Sequence, residues 1–184
     1  MKYYGFLAKG CGLKSKILSF ILVDSNLIDY FDVREVKVDE PVLIRAVYYN
    51  GEKDRIEEDY TCGGNPQIVS EEFKNLVEEL DPQAAQFFTA KPINCVTKKK
   101  YYVMHVTRAI NCLDREHSKF LPGVIPGETE SIAVGCVDSS KIPEDVHMFR
   151  LEDDTALHYV SAKFVREYRK RKMQGCLFNL RSVT

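Results

Sequence analysis

The sequence has no excess of either charge: 26 Lys and Arg stand against 27 Asp and Glu in 184 residues, a formal charge of −1. A protein that grips nucleic acid by bulk electrostatics needs a basic surplus, so that class is not expected. A long apolar run is also missing. The longest, Ile17 to Val23, is interrupted by Ser19 and falls far short of the roughly 18 residues that span a bilayer. Lys2, Lys9, Lys14 and Lys16 precede it as they would in a signal peptide. Asp24 and Asn26, however, follow where small cleavage-site residues belong, so export is not expected. No two of the six cysteines, at 11, 62, 95, 112, 136 and 176, have the C-x-x-C spacing. Cys95, Cys112, Cys136 and Cys176 sit among apolar neighbours and read as buried free thiols of a reducing cytoplasm rather than a disulfide framework. The P-loop, the dinucleotide glycine fingerprint, H-E-x-x-H and G-x-S-x-G are absent, which removes the best-marked nucleotide, zinc-protease and serine-hydrolase classes.

What is present suits a folded globular chain. Apolar residues make up 45% and charged residues 29%, outside the disordered range, and the length fits one domain over 1–184. Charge is unevenly spread. Residues 1–92 hold 11 basic and 16 acidic side chains, whereas 93–184 hold 15 and 11, an asymmetry that concerns partners rather than fold.

Apolar runs at Ile17–Val23 and Val42–Tyr49 predict strands, the second closing on the turn signal Asn50-Gly51. The acidic stretch Glu52–Asn65, ending in Cys62-Gly-Gly-Asn-Pro66, reads as a surface loop. Phe73, Leu76, Val77 and Leu80 repeat at helical spacing behind an N-cap at Ser70, and Asp81-Pro82 breaks that helix. After a short linker, Lys98–Val106 predicts a strand rich in β-formers. Leu121–Ser131 reads as a loop, and Ser131–Val137 and Val146–Leu151 as strands. Ser161 caps a second helix, with Phe164, Val165 and Tyr168 on one face and Gly175 as its C-cap; Cys176–Leu180 closes the chain as a strand. Val69-Ser-x-x-Phe73 and Val160-Ser-x-x-Phe164 share one pattern, as either a diverged duplication or a convergent strand–cap–helix device would give. Together these elements predict an α+β fold: one mixed or antiparallel sheet with two principal amphipathic helices.

Four groups of residues are candidates for chemistry or binding. Cys112-Leu-Asp-Arg-Glu-His-Ser118 places a thiol and an imidazole close in sequence, so Cys112 and His117 could serve a small thiol-dependent enzyme if the segment folded back. No third orienting group is apparent, and a polar turn after an apolar strand accounts for the same residues. Cys62, Cys112, His117, Cys136 and His147 match no zinc spacing, and neither metal nor cofactor is expected. Helix 161–174 carries Lys163, Arg166, Arg169, Lys170, Arg171 and Lys172 against Glu167. It could grip phosphates as a nucleic-acid-binding module, but no aromatic residue is interleaved for base stacking, and the helix dipole explains much of the charge. Glu71, Glu72, Glu78, Glu79 and Asp81 make the first helix acidic. Beside the acidic loop, they would form a patch able to steer a basic partner.

The order of Val69-Ser-x-x-Phe73, Tyr101-Tyr-Val-Met-His-Val-Thr-Arg-Ala-Ile-Asn-Cys-Leu-Asp114, Glu116-His-Ser118, Met148-Phe-Arg-Leu151, Val160-Ser and Gly175-Cys-Leu-Phe178 resembles bacterial immunity family eleven of the polymorphic-toxin systems. The likeness spans roughly residues 66–180, with the strands of 1–50 packed on that core. Where the family's Tyr-Tyr strand usually runs into Asn, this chain has His105. The resemblance implies a cytoplasmic, non-enzymatic antidote that binds a cognate protein toxin, often a nuclease, with no membrane or nucleic-acid partner. Asp114, Glu116 and Ser118 are then the expected toxin contacts, with Glu71, Glu72, Glu78 and Glu79 supplying negative charge.

Overall fold

Alternation with a period of two marks the strands that have one face on a core. Buried Val42, Ile44 and Ala46 interleave with exposed Leu43 and Arg45, the signature of a strand with one face on a core. The computed structural model describes all residues except 9–16, 25–27, 30–31, 49–54, 57, 62–66, 123–129 and 184. The predicted turn at Asn50-Gly51 and most of the acidic loop therefore lie outside the described residues, as do most of the Leu121–Ser131 loop and Cys11 and Cys62. In chain order the strands are β1 (Tyr3–Ala8), β2 (Ile17–Leu22), β3 (Val42–Tyr48), β4 (Arg55–Ile56), β5 (Tyr60–Thr61), β6 (Gln67–Ser70), β7 (Ala85–Ile93), β8 (Val96–Thr97) and β9 (Tyr101–Val106). They continue with β10 (Ala109–Ile110), β11 (Lys119–Leu121), β12 (Ser131–Val134), β13 (Val137–Asp138), β14 (Met148–Leu151), β15 (Asp154–Ser161), β16 (Cys176–Leu180) and β17 (Ser182–Val183). Helix α1 (Glu71–Leu80) follows β6 directly, and α2 (Ala162–Lys170) follows β15 directly.

Two mixed sheets dominate. One runs β2-β3-β7-β9-β6-β5 and the other β10-β14-β15-β1-β16; β3 pairs parallel with β7, and β10 parallel with β14, the remaining pairings in these sheets being antiparallel. The expected α+β architecture with two principal helices is thereby overturned: this is a β-rich fold in which two short helices serve two large sheets. The reason is local. The segment after Asp81-Pro82, read as a linker, is the nine-residue strand β7, at the centre of its sheet. It shows no clean alternation over Ala85-Gln-Phe-Phe88 because both of its faces meet packed neighbours. For the same reason, all four residues of β6 and all four of β14 are buried.

The two helices are set in matched surroundings. Ser70 Oγ accepts from Phe73 N at 3.2 Å, and Ser161 Oγ accepts from Phe164 N at 3.2 Å, each an N-cap bond. Ser70 also donates its backbone N–H to the Asp59 carbonyl and its hydroxyl to Asp59 Oδ1. Ser161 donates its N–H to the His147 carbonyl, and its hydroxyl lies 2.9 Å from His147 Nδ1. Phe73 and Phe164 meet edge to face, centroids 5.5 Å apart. Around this contact, one core gathers Val69, Leu76 and Met104 from one sheet and its helix, and Phe6, Met148, Val160 and Tyr168 from the other. A second core, with Phe20, Ile44, Phe88 and Val103, lies under the segment bearing Ile28, Val36 and Val38. A third holds Tyr3, Phe149 and Tyr159 against Cys112, Leu113 and Val137.

Helix α2 ends before the expected glycine cap. Its last residue is Lys170, Arg171 caps it, and Lys172 takes the left-handed conformation at φ 55°. Gly175, at φ 107°, has another role: a Cβ there would stand 2.0 Å from the Tyr60 carbonyl oxygen. This close approach joins edge strand β5 to the start of edge strand β16. Asp59 and Tyr60 both donate N–H to the Gln174 carbonyl, and Gln174 N donates to Asp59 Oδ2.

Phe164→Ala is expected to cost about 3–5 kcal/mol in urea unfolding, the range for truncating a fully packed aromatic. Gly175→Ala should cost more than about 1 kcal/mol, since neither the conformation nor the space admits a methyl group. Burial lowers the pKa of His158 to about 3 and lowers those of His105 and His147. The unfolded chain, whose imidazoles titrate near 6.5, therefore binds more protons below that pH, and stability should fall steadily as pH drops from about 6.5 toward 4. A urea midpoint unchanged over that interval would contradict this.

Candidate functional site

The segment richest in reactive groups folds as a structural turn. Leu113 bridges Val137, and Asp114 N donates to the Cys136 carbonyl. Asp114 then closes the turn on itself: Oδ1 accepts from His117 N at 3.1 Å, and Oδ2 lies 2.9 Å from His117 Nδ1. Those bonds hold the Asp114 carboxyl below the usual carboxylate range. Ser118 Oγ donates to the Asp114 carbonyl at 2.6 Å and accepts from Cys136 N at 2.9 Å. Two of the three expected toxin contacts, Asp114 and Ser118, are thus engaged within the molecule, and Glu116 is exposed at the tip. Cys112 is fully buried in the third core, and burial pushes its thiol up to about 12. His117, the base a nucleophilic thiol would need, stands half-exposed on Asp114. A thiol so buried supplies no thiolate at neutral pH.

The four glutamates of α1 are brought together, but most are paired. Glu71 meets Lys100 Nζ at 3.1 Å, Glu78 meets Lys74 Nζ at 2.6 Å, and Glu79 meets Arg171 at 2.6 Å. Lys74 itself sits over the rings of Phe87 and Tyr102. Three cations among four carboxylates leave this face close to neutral, with exposed Glu72 outside those pairs. Asp59 and Asp81, which sequence counts as surface acids, are buried. Asp59 binds Ser70, Lys99 and Gln174. Asp81 takes both 2.8 Å bonds from Arg108 Nη1 and the backbone N–H groups of His147 and Met148, so it pins the end of α1 to β14.

The basic run on α2 is the less compensated surface. Phe164, Val165 and Tyr168 turn inward, while Lys163, Arg166, Arg169, Lys170 and Lys172 are exposed. Glu167 stands 3.6 Å from both Arg166 and Lys170, and Arg171 reaches across to Glu79 of α1. An acidic and a basic helix therefore lie side by side, with the basic one holding the larger net charge. Periodicity could have revealed this asymmetry. Two of the cations that neutralise α1, Lys100 and Arg171, could not be foreseen, because they come from distant parts of the chain.

Elsewhere, a hollow of about 170 Å³ lies between the outer face of β1 and β15 and the residues Ala133–Gly135. It is below the roughly 300 Å³ at which small-molecule sites begin, and Cys112 does not line it. Among the described residues, no three His, Cys, Asp or Glu side chains are grouped to hold a metal, and no helix is long and apolar enough to cross a membrane.

Residues 38–181 match the family model described as the immunity protein family Imm11. No curated protein matches the sequence.

Cys112 should react with a thiol reagent at pH 8 at least about 100-fold more slowly in the native protein than in urea, where it regains a free-thiol pKa near 8.5. Native labelling at the urea rate would show an accessible thiolate.

Proposed function

Because the chain belongs to the Imm11 immunity-protein family, we propose that it neutralises a cognate polymorphic toxin by binding and covering it, in the cytoplasm of the cell that makes the toxin. The observation that carries this reading is the family match over residues 38–181, more than three-quarters of the chain. The chemistry of the described residues does not favour a thiol enzyme: Cys112 is buried, and the nearby His117 imidazole is engaged by Asp114 instead. Inhibition by binding alone is energetically sufficient, since the tightest protein pairs reach dissociation constants of about 10⁻¹³ M or below.

A nuclease is a suitable toxin, because covering a basic substrate groove removes its function without any bond being made. Imitation of phosphates by α1 is the weaker part of that picture, given the intramolecular pairing of Glu71, Glu78 and Glu79. Of the expected contact carboxylates, Glu72 and Glu116 are exposed and stand outside the ion pairs of α1 described above.

Co-expression with the toxin encoded by the adjacent gene tests the proposal. The expected outcome is restored growth of cells carrying the toxin, together with a complex that survives size-exclusion chromatography. Absence of both rescue and complex would refute it.

A further inference from the structure

A cluster of largely uncompensated cations lies on α2, and it is held rigidly. Phe164 and Tyr168 are buried against Phe73, with Tyr168 also against Phe178, so the helix cannot roll to hide its outer face. Arg166 and Lys170 expose 69% and 76% of their side chains. Glu167, one carboxylate at 3.6 Å from each, must serve both, and Arg169, Lys163 and Lys172 add further exposed cations. The adjoining α1 face is close to neutral, for the reasons given above.

We propose that the outer face of α2, centred on Arg166, Arg169 and Lys170, is the surface that meets the toxin and that it seats on an acidic patch of that protein. This rests on the immunity reading of the family and reverses the polarity that the sequence suggests, in which the acids of α1 make the contact. The physics is that of steered association. At about 0.1 M salt, fields extend roughly 10 Å from a surface, and a complementary patch raises the encounter rate well above the unsteered range of about 10⁵–10⁶ M⁻¹s⁻¹.

A nucleic acid fits this surface less well. A duplex carries a negative charge for about every 1.7 Å of its axis, and packed helices lie about 8–10 Å apart. Phosphates laid along α2 would therefore also fall near Glu79 of α1, which reaches α2 through Arg171. The aromatic residues of α2 face inward, leaving no platform on which bases could stack. An acidic protein patch of limited width escapes that repulsion.

The test measures association of the purified protein with the toxin of the adjacent gene, in a catalytically inactivated form, at 50 and 500 mM NaCl. It compares wild type, the triple reversal Arg166→Glu/Arg169→Glu/Lys170→Glu and the milder triple neutralisation to Gln. Expected are an association rate that falls at least about tenfold across that salt range for wild type, and a reversed variant at least about tenfold slower than wild type at low salt, with the neutralised variant between. If the reversal unfolds the protein, the neutralised variant and the wild-type salt series still decide. A salt-independent wild-type rate, or variants within twofold of wild type, would overturn the inference while leaving the immunity function intact. No binding by wild type would instead fail the functional reading and the inference with it. A fluorescent 20-base-pair DNA duplex is the control; wild-type binding to it that the reversal abolishes, with toxin association unchanged, would also overturn the inference.

Discussion

Helices of nine and ten residues are too short to persist alone in water, and the architecture turns on where their apolar faces go. Phe73 and Phe164 answer this by packing on each other at the centre of the largest core. Each helix springs directly from a strand of a different sheet, β6 or β15, so this ring contact ties the two sheets together. Everything nearby is arranged to hold it. The serine caps fix where each helix begins, Asp59 and His147 orient those serines, and Asp81 ties the end of α1 to β14. At the edge, Gly175 lets the chain pass against Tyr60, so that the Gln174 carbonyl can take two N–H groups from the opposite sheet. The matched geometry of the two strand–serine–helix units is a feature of the folded protein, whatever their history.

That arrangement has an electrostatic consequence. Packing the helices side by side brings an acidic helix against a basic one, and Arg171 closes on Glu79. Exposed pairs of this kind add little stability, typically below about 1 kcal/mol, but they determine which charge remains visible to a partner. The acids of α1 are largely satisfied within the molecule, and the cations of α2 are not. The exposure of that charge then follows from packing: the same buried aromatics that hold the sheets together hold the charged face outward.

Much of the helical part was legible in the sequence because its signals are local. The N-caps at Ser70 and Ser161 and the buried stripes Phe73-Leu76-Val77 and Phe164-Val165-Tyr168 follow from spacing alone. The β-rich character was not legible. β7 lies between β3, to which it pairs in parallel, and β9, and over Ala85–Phe88, where both faces meet packed neighbours, it loses the alternation that marks strands. Gly175 suggested a helix cap, but its conformation serves a contact with Tyr60, 115 positions earlier. The site divides the same way. The turn at Asp114–Ser118 and the charge of each helix could be read directly, whereas the burial of Asp59 and Asp81 and the neutralisation of Glu71 by Lys100 depend on long-range pairing that no spacing encodes.

The central claim is that a helix pair fixed by buried aromatics presents the surface that covers the toxin. Covalent footprinting by mass spectrometry tests it most directly, by comparing lysine acylation in the free protein and in the toxin complex. Lys163, Lys170 and Lys172 should become at least about fivefold less reactive on binding, as burial in an interface requires, while Lys119, on β11 beside the Asp114 turn, should be unchanged. Undiminished reactivity along α2 in a stable complex, with protection confined to Lys119 or other distant lysines, would contradict the claim.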